Sequence, residues 1–176
     1  PAYSHFIGRF LLDIYVLLKI NNLPQISGLA GTIRKIYRFL AATMTPTGQT
    51  AQFSDSYAMD AAADLKLVRS LLPGFKAPAI KSVCFSQSRV AVLRREQLAV
   101  HVDASGTELW HQHEGKPNFL LFVREHPVII DSGSGSYDHI WHWDWLKRAE
   151  AHNTVVVNAG AKQQKTTFDW DAARPR

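Results

Sequence analysis

Trp110-His111-Gln112-His113-Glu114-Gly115 opens the stretch that decides how this chain folds. Phe119-Leu120-Leu121-Phe122-Val123 follows, then Val128-Ile129-Ile130-Asp131-Ser132-Gly133-Ser134-Gly135-Ser136-Tyr137, and His152-Asn153-Thr154-Val155-Val156-Val157 closes it. The short apolar runs, bounded by Gly, Ser and Pro, read as strands. Histidines and one carboxylate stand at their ends. On a strand, side chains alternate with period two, so a His-x-His pair sends both rings to one face. Imidazole nitrogens and a carboxylate oxygen form a donor set that suits zinc and related divalent ions. A plainer reading stands beside this one: a single His or Asp at a strand end is usually a hydrogen-bonded structural group.

Working outward, further period-two segments lie at Ile80–Phe85, Arg89–Arg95, Leu98–Val102 and Thr154–Val157. Gln87-Ser88, Glu96-Gln97 and Glu125-His126-Pro127 fit the turns between strands. Short strands at this spacing predict an antiparallel sandwich, which the chain ends too early to complete. Cys84 is the only cysteine, which excludes an intramolecular disulfide, and it reads as a buried strand residue.

Before residue 75 the period changes to that of helices. Phe6, Phe10, Ile14 and Leu18 mark an amphipathic helix over 3–20, and Ile33, Tyr37, Leu40 and Met44 mark another over 29–44. A third covers 57–72, with Ser54, Asp55 or Ser56 as its cap. Pro73–Ala79 reads as a linker. The first helix is too short and too charged to span a membrane. The chain opens on Pro1 and closes on Arg174-Pro175-Arg176, and both ends read as cut from a longer protein.

The chain has 176 residues, 46% hydrophobic and 20% charged, and so is globular. A net charge of +5 suits an anionic partner, or simply a mildly basic solvated surface. No run of Lys and Arg exceeds two, which argues against nucleic-acid binding.

His111-Gln112-His113-Glu114-Gly115, Asp131-Ser132-Gly133 with Tyr137, and His152-Asn153-Thr154-Val155 together resemble the heparinase II/III-like family. That family includes heparin-sulfate lyases and oligoalginate lyases. The resemblance implies an α+β multidomain fold: residues 1–75 as the tail of an (α/α) toroid, and 76–176 as the start of an antiparallel β-sandwich. Pro1-Ala2-Tyr3-Ser4-His5, Pro46-Thr47-Gly48 and Ser54-Asp55-Ser56 are similar to toroid segments, Ser54 standing where the family often has Gly. The implied activity is β-elimination on a uronate-containing polysaccharide, in the periplasm or outside the cell.

By the same resemblance Tyr3, His111 and Tyr137 are the candidate catalytic residues, and His113, Asp131 and His152 are ligands of a Zn2+ that shapes the cleft. Arg148, from its charge, and Trp141, from its ring, are candidates for substrate binding. Each has a plainer reading: Tyr3 as packing on Phe6 or Ile7, Tyr137 as cover for its loop, and the Trp141–Trp145 segment as a small apolar cluster. Gly115 stands where the family carries Asp, so a carboxylate that would orient a histidine is missing. That departure keeps a second reading open, a glycan-binding or structural module without catalysis.

Overall fold

The computed structural model describes residues 2–106 and 111–156. Trp110 and Val157, the ends of the deciding stretch, lie outside them. Three helices come first: α1 (Ala2–Ile20), α2 (Leu29–Thr43) and α3 (Ala61–Leu71). Each buries one stripe, and Leu12, Ile33, Tyr37, Leu40, Leu65, Val68 and Leu72 make their common core. Gly8 sets the approach of α1 to α2, since a β-carbon there would lie 2.8 Å from Ile36 Cγ2 and 3.2 Å from Tyr37 Cε2. The Tyr37 hydroxyl is not left bare in this core; it donates to Asp64 at 3.2 Å. No helix of the described residues is long and apolar enough to cross a membrane.

The cap of α3 is Asp60, which accepts from the Ala63 N–H at 2.8 Å, and not one of residues 54–56. Those residues are held away from the helix by a closed loop. Thr50 N–H donates to the Met59 carbonyl at 2.9 Å, Met59 N–H to Thr50 Oγ1 at 3.0 Å, and Thr50 Oγ1 to the Tyr57 carbonyl at 2.7 Å. The loop lays Ala51 and Phe53 on the sheet, where they pack with Ala99, Leu120 and Phe122.

Five strands follow: β1 (Val83–Phe85), β2 (Val90–Arg95), β3 (Leu98–Asp103), β4 (Asn118–Val123) and β5 (His126–Ile129). They pair in sequence order, every neighbour antiparallel. Alternation turns Val90 and Val92, Ala99, His101 and Asp103, and Asn118, Leu120 and Phe122 inward. The fold is therefore α+β, and among the described residues the strands form one sheet. Three local expectations change. The last reversal is at Arg124-Glu125, while His126 and Pro127 pair with β4, which the edge position of β5 permits. Residues 154–156 are irregular and not a strand. Cys84 is exposed, because on β1 it is Val83 and Phe85 that turn inward.

Candidate functional site

The loop ending at Ser56 and the segment His111–Gly115 run side by side. Asp55 N–H donates to the His111 carbonyl at 3.4 Å, and His113 N–H donates to Ser54 Oγ at 3.3 Å. Glu114 N–H donates to the Lys147 carbonyl at 2.9 Å. Beneath them the Lys116 ammonium donates to Asp103 and to Ser54 Oγ, a buried pair that fixes the segment to β3. Residues 111–114 are thus irregular backbone rather than a strand, and the two histidines do not share a face. His111 is exposed and His113 is buried. Both nevertheless reach the same carboxylate.

That carboxylate is Asp55, whose side chain is 1% exposed. Its Oδ2 accepts from the Tyr137 hydroxyl at 2.7 Å and from His111 Nδ1 at 3.0 Å, and its Oδ1 accepts from His113 Nε2 at 2.7 Å. Burial alone would raise its pKa, but the bonds from Tyr137, His113 and His111 outweigh it and hold the group below the usual carboxylate range. In return, burial and the bond to Asp55 push the Tyr137 hydroxyl well above its ordinary value. Tyr3, on the first turn of α1, is half-exposed, with its ring centroid 5.0 Å from that of His111. Partial burial and the charge of Asp55 raise the Tyr3 hydroxyl too. Tyr3, Phe53, Ser54, Asp103 and His111 line a cleft of about 420 Å³ between helices and sheet.

A second line of groups continues from His113. Its Nδ1 lies 3.1 Å from His152 Nε2, and His152 Nδ1 lies 2.6 Å from Asp131 Oδ2. Asp131 also accepts from Asn118 Nδ2 at 2.5 Å and from Gly133 N–H at 2.8 Å. These bonds outweigh burial and keep its pKa low. His152 follows a 3-10 turn, Ala149–Ala151, and its neighbour Asn153 donates to the carbonyls of Phe119 and Ile130 at 2.9 and 2.8 Å. Asn153 thereby pins the histidine against the ends of β4 and β5. Burial pushes His113 down to about 4, although the bond to Asp55 works the other way.

The positions of the ring protons decide whether these residues suit a metal. Ionised Asp131 takes the Nδ1–H of His152, and ionised Asp55 takes the Nε2–H of His113. If both rings are neutral, the two remaining nitrogens face each other with lone pairs at 3.1 Å. Two nitrogens on one tetrahedral zinc, with bonds of about 2.0–2.1 Å, stand about 3.3 Å apart. The pair therefore fits zinc, each ring backed by a carboxylate in the manner of orienting partners at metal histidines. Asp131, the third ligand that the resemblance implies, meets His152 at the nitrogen that does not face His113, and so stands behind the pair as an orienting partner.

His142 is the third histidine at this centre. It is fully buried, with Nε2 3.9 Å from Asp55 Oδ1, and neither ring nitrogen has a hydrogen-bond partner. Asp55, His113 and His142 offer ligand atoms within 4.8 Å of one another. The His142 ring lies edge-on between Tyr137, at 4.7 Å, and Trp143, at 4.8 Å. Trp143 Nε1 donates to the Tyr137 carbonyl at 3.0 Å, whereas Trp141 is 62% exposed. Arg148 pairs with Glu150 at 3.3 Å. From the sequence Asp55 is a cap candidate within a toroid-like segment, and His142 and Trp143 are members of an aromatic segment; none of the three is a candidate site residue. For Asp55 a signal was present: Ser54 sits at φ 54°, a conformation that favours glycine, and the resembled family carries Gly-Asp where this chain has Ser54-Asp55.

The family model described as heparinase II/III-like, C-terminal, matches residues 78–172. Among solved structures, the heparinase III-BT4657 gene product superposes with a TM-score of 0.73 at 21% identity, over 88% of this chain and 28% of that one. The heparan sulfate lyase HepC from Pedobacter heparinus gives 0.73 at 19% identity, over 92% and 29%. A further heparinase III structure gives 0.71 at 16%, over 92% and 32%. The chain spans less than a third of each of these proteins. No curated protein sequence matches.

Proposed function

The chain belongs to the heparinase II/III-like family through its C-terminal domain, and from that premise we propose that it is part of a polysaccharide lyase acting by β-elimination on a uronate-containing polysaccharide. The helices are then the end of the family's toroid and the sheet the start of its sandwich. The observation that carries the reading is the meeting of Tyr3 and His111 at the cleft, with Tyr137 and Asp55 behind His111.

The chemistry follows from the protonation of these groups. Tyr3, half-exposed in the cleft beside His111 and protonated as any phenol is at neutral pH, is the acid for the leaving oxygen. His111, on an exposed ring, is the base for the C5 proton. The C5–H bond breaks, its electrons form the C4–C5 double bond, and the C4–O bond breaks as Tyr3 protonates the departing oxygen. Tyr137, whose hydroxyl donates to Asp55 and lies 3.0 Å from His111 Nδ1, holds its phenol beside the imidazole. A zinc ion would be held by His113 and His152 with Asp131 orienting His152, and would brace the cleft wall rather than supply a reacting water. Trp141 offers an exposed face for stacking on a sugar. Arg148 serves a substrate carboxylate only by releasing Glu150. An acidic glycan as substrate argues for a periplasmic or secreted location.

Tyr3→Phe in the full-length protein tests the reading. Appearance of unsaturated-uronate absorbance with the wild type, and a drop of about 10²-fold or more with the variant, is the expected result. No product from the wild type on any acidic glycan would leave a glycan-binding module as the better account. Elemental analysis gives the metal: about one zinc per chain, lost in His152→Ala.

A further inference from the structure

We propose that Asp55 is a positioning residue of this site, fixing the tautomer of His111 and seating Tyr137 beside it. What the positioned nitrogen does rests on the lyase reading above; the tautomer itself does not. Three observations converge. Asp55 sits on a closed loop whose ends are tied by Thr50 and Met59, so its carboxylate is set by backbone bonds rather than by a free side chain. It is buried, yet each of its oxygens is used: Oδ2 by His111 Nδ1 and the Tyr137 hydroxyl, Oδ1 by His113 Nε2. And its backbone N–H bonds the His111 carbonyl, so main chain and side chain grip the same residue.

The consequence is chemical. A carboxylate accepts only, so the nitrogen that faces it must carry the proton. With the proton on Nδ1, neutral His111 keeps its lone pair on Nε2, on an exposed ring lining the cleft. Without Asp55 either tautomer is available, and the ring is free to turn. The same oxygen takes the Tyr137 hydroxyl hydrogen, so both groups are oriented from one point. Asp55 touches neither the substrate nor the reacting atoms; it acts through His111 and Tyr137.

Two measurements decide the matter. In protein labelled with ¹⁵N only at histidine, the chain gives eight ring pairs, and His111→Gln identifies the pair of interest. The proton of the neutral ring is expected on Nδ1 in the wild type and divided between nitrogens in Asp55→Asn. A wild-type His111 with its proton on Nε2 overturns the proposal, and this needs no variant of Asp55 to fold. In the full-length protein, Asp55→Asn is expected to lower kcat by about 10²- to 10⁴-fold, the scale of an Asp→Asn change that inverts a catalytic histidine's tautomer. KM should stay within about threefold, since the group lost acts in the transition state. A folded Asp55→Asn protein with kcat within about threefold of wild type sinks the positioning role. A wild type that releases no unsaturated uronate sinks the lyase reading instead, while the labelled spectrum still decides the tautomer.

Discussion

A β-carbon on Gly115 would lie 2.4 Å from Cβ of His152 and 2.7 Å from its Cγ and Cδ2. No side chain fits there unless His152 moves, and His152 is held by Asp131 on one nitrogen and by Asn153 next to it in the chain. The glycine therefore allows two segments to touch. It also removes the argument that a missing carboxylate at this position marks lost chemistry, because Asp131 backs His152 and Asp55 backs His113. Gly115→Ala should push His152 out of line with His113. Overpacking of this kind costs about 1–3 kcal/mol, and loss of an orienting contact at a metal histidine typically weakens metal binding about 10- to 100-fold. Thermal melting and zinc competition against a chelator would measure both. Gly31→Ala is the control: nothing lies within 4 Å of its Cβ, and an alanine inside α2 should stabilise the chain slightly. Equal behaviour of the two variants would refute the contact argument.

β3 carries a histidine where its alternation calls for an apolar residue. His101 points inward with Ala99 and Asp103, opposite Val92 on β2 and Leu120 on β4, its ring edge-on to Phe122 at 5.5 Å. Its Nε2 has no hydrogen-bond partner. Burial, helped by the charge of Arg94, pushes His101 down to about 4. The unfolded chain, with a pKa near 6.5, binds the proton first as pH falls, so stability is lost between about 6.5 and 4. Between about pH 8 and pH 5 this single group costs on the order of 2 kcal/mol. His101→Leu should remove that difference, and urea unfolding of both proteins at the two pH values would read it directly. A wild type and variant that lose stability in parallel would place the titration elsewhere. The same strand illustrates what the sequence discloses. Alternation in Val90–Arg95, Leu98–Asp103 and Asn118–Val123 is written in local neighbours, so those strands and the three helices were legible. The loop from Thr50 to Met59 and the segment from His111 to Glu114 were not. The hydrogen bonds that bring the two together join residues more than fifty positions apart, as in Asp55 to His111 and Ser54 to His113. The types of residue at the site could be read, but Asp55 as their meeting point could not, because a cap and a buried carboxylate look alike in a local window.

Helices and sheet meet along one seam, and the cleft is part of it. Tyr3 comes from α1 and His111 from the segment before β4, so their 5.0 Å separation measures how the two halves sit. At the far side of the seam the Arg94 guanidinium, from β2, donates to the carbonyls of Ala42 and Met44 at 3.0 and 2.8 Å and to that of Lys81 at 3.1 Å. Ala42 and Met44 lie at the C-terminal end of α2, where carbonyls lack partners and the helix dipole favours a cation. Phe39 and Phe85 add an edge contact at 4.9 Å between the same two halves. Arg94 thus ties the sheet to α2 without touching any group at the site. Arg94→Met keeps the bulk of the stem and removes three bonds from a charged donor, which should cost about 1–3 kcal/mol. If the seam sets the cleft, turnover of the full-length protein should also fall, because an ångström of displacement between reacting groups costs up to about 10²-fold. The proposed zinc site should be unaffected, since His113, His152 and Asp131 all lie outside the helices. The neighbouring Arg95→Met, on an exposed side chain, is the control and should change neither quantity. Loss of stability with full turnover in Arg94→Met would mean that the other contacts across the seam, among them Phe39 with Phe85 and Ser54 and Asp55 with the His111 segment, keep the two halves aligned, and that the arginine holds up the fold without setting the cleft.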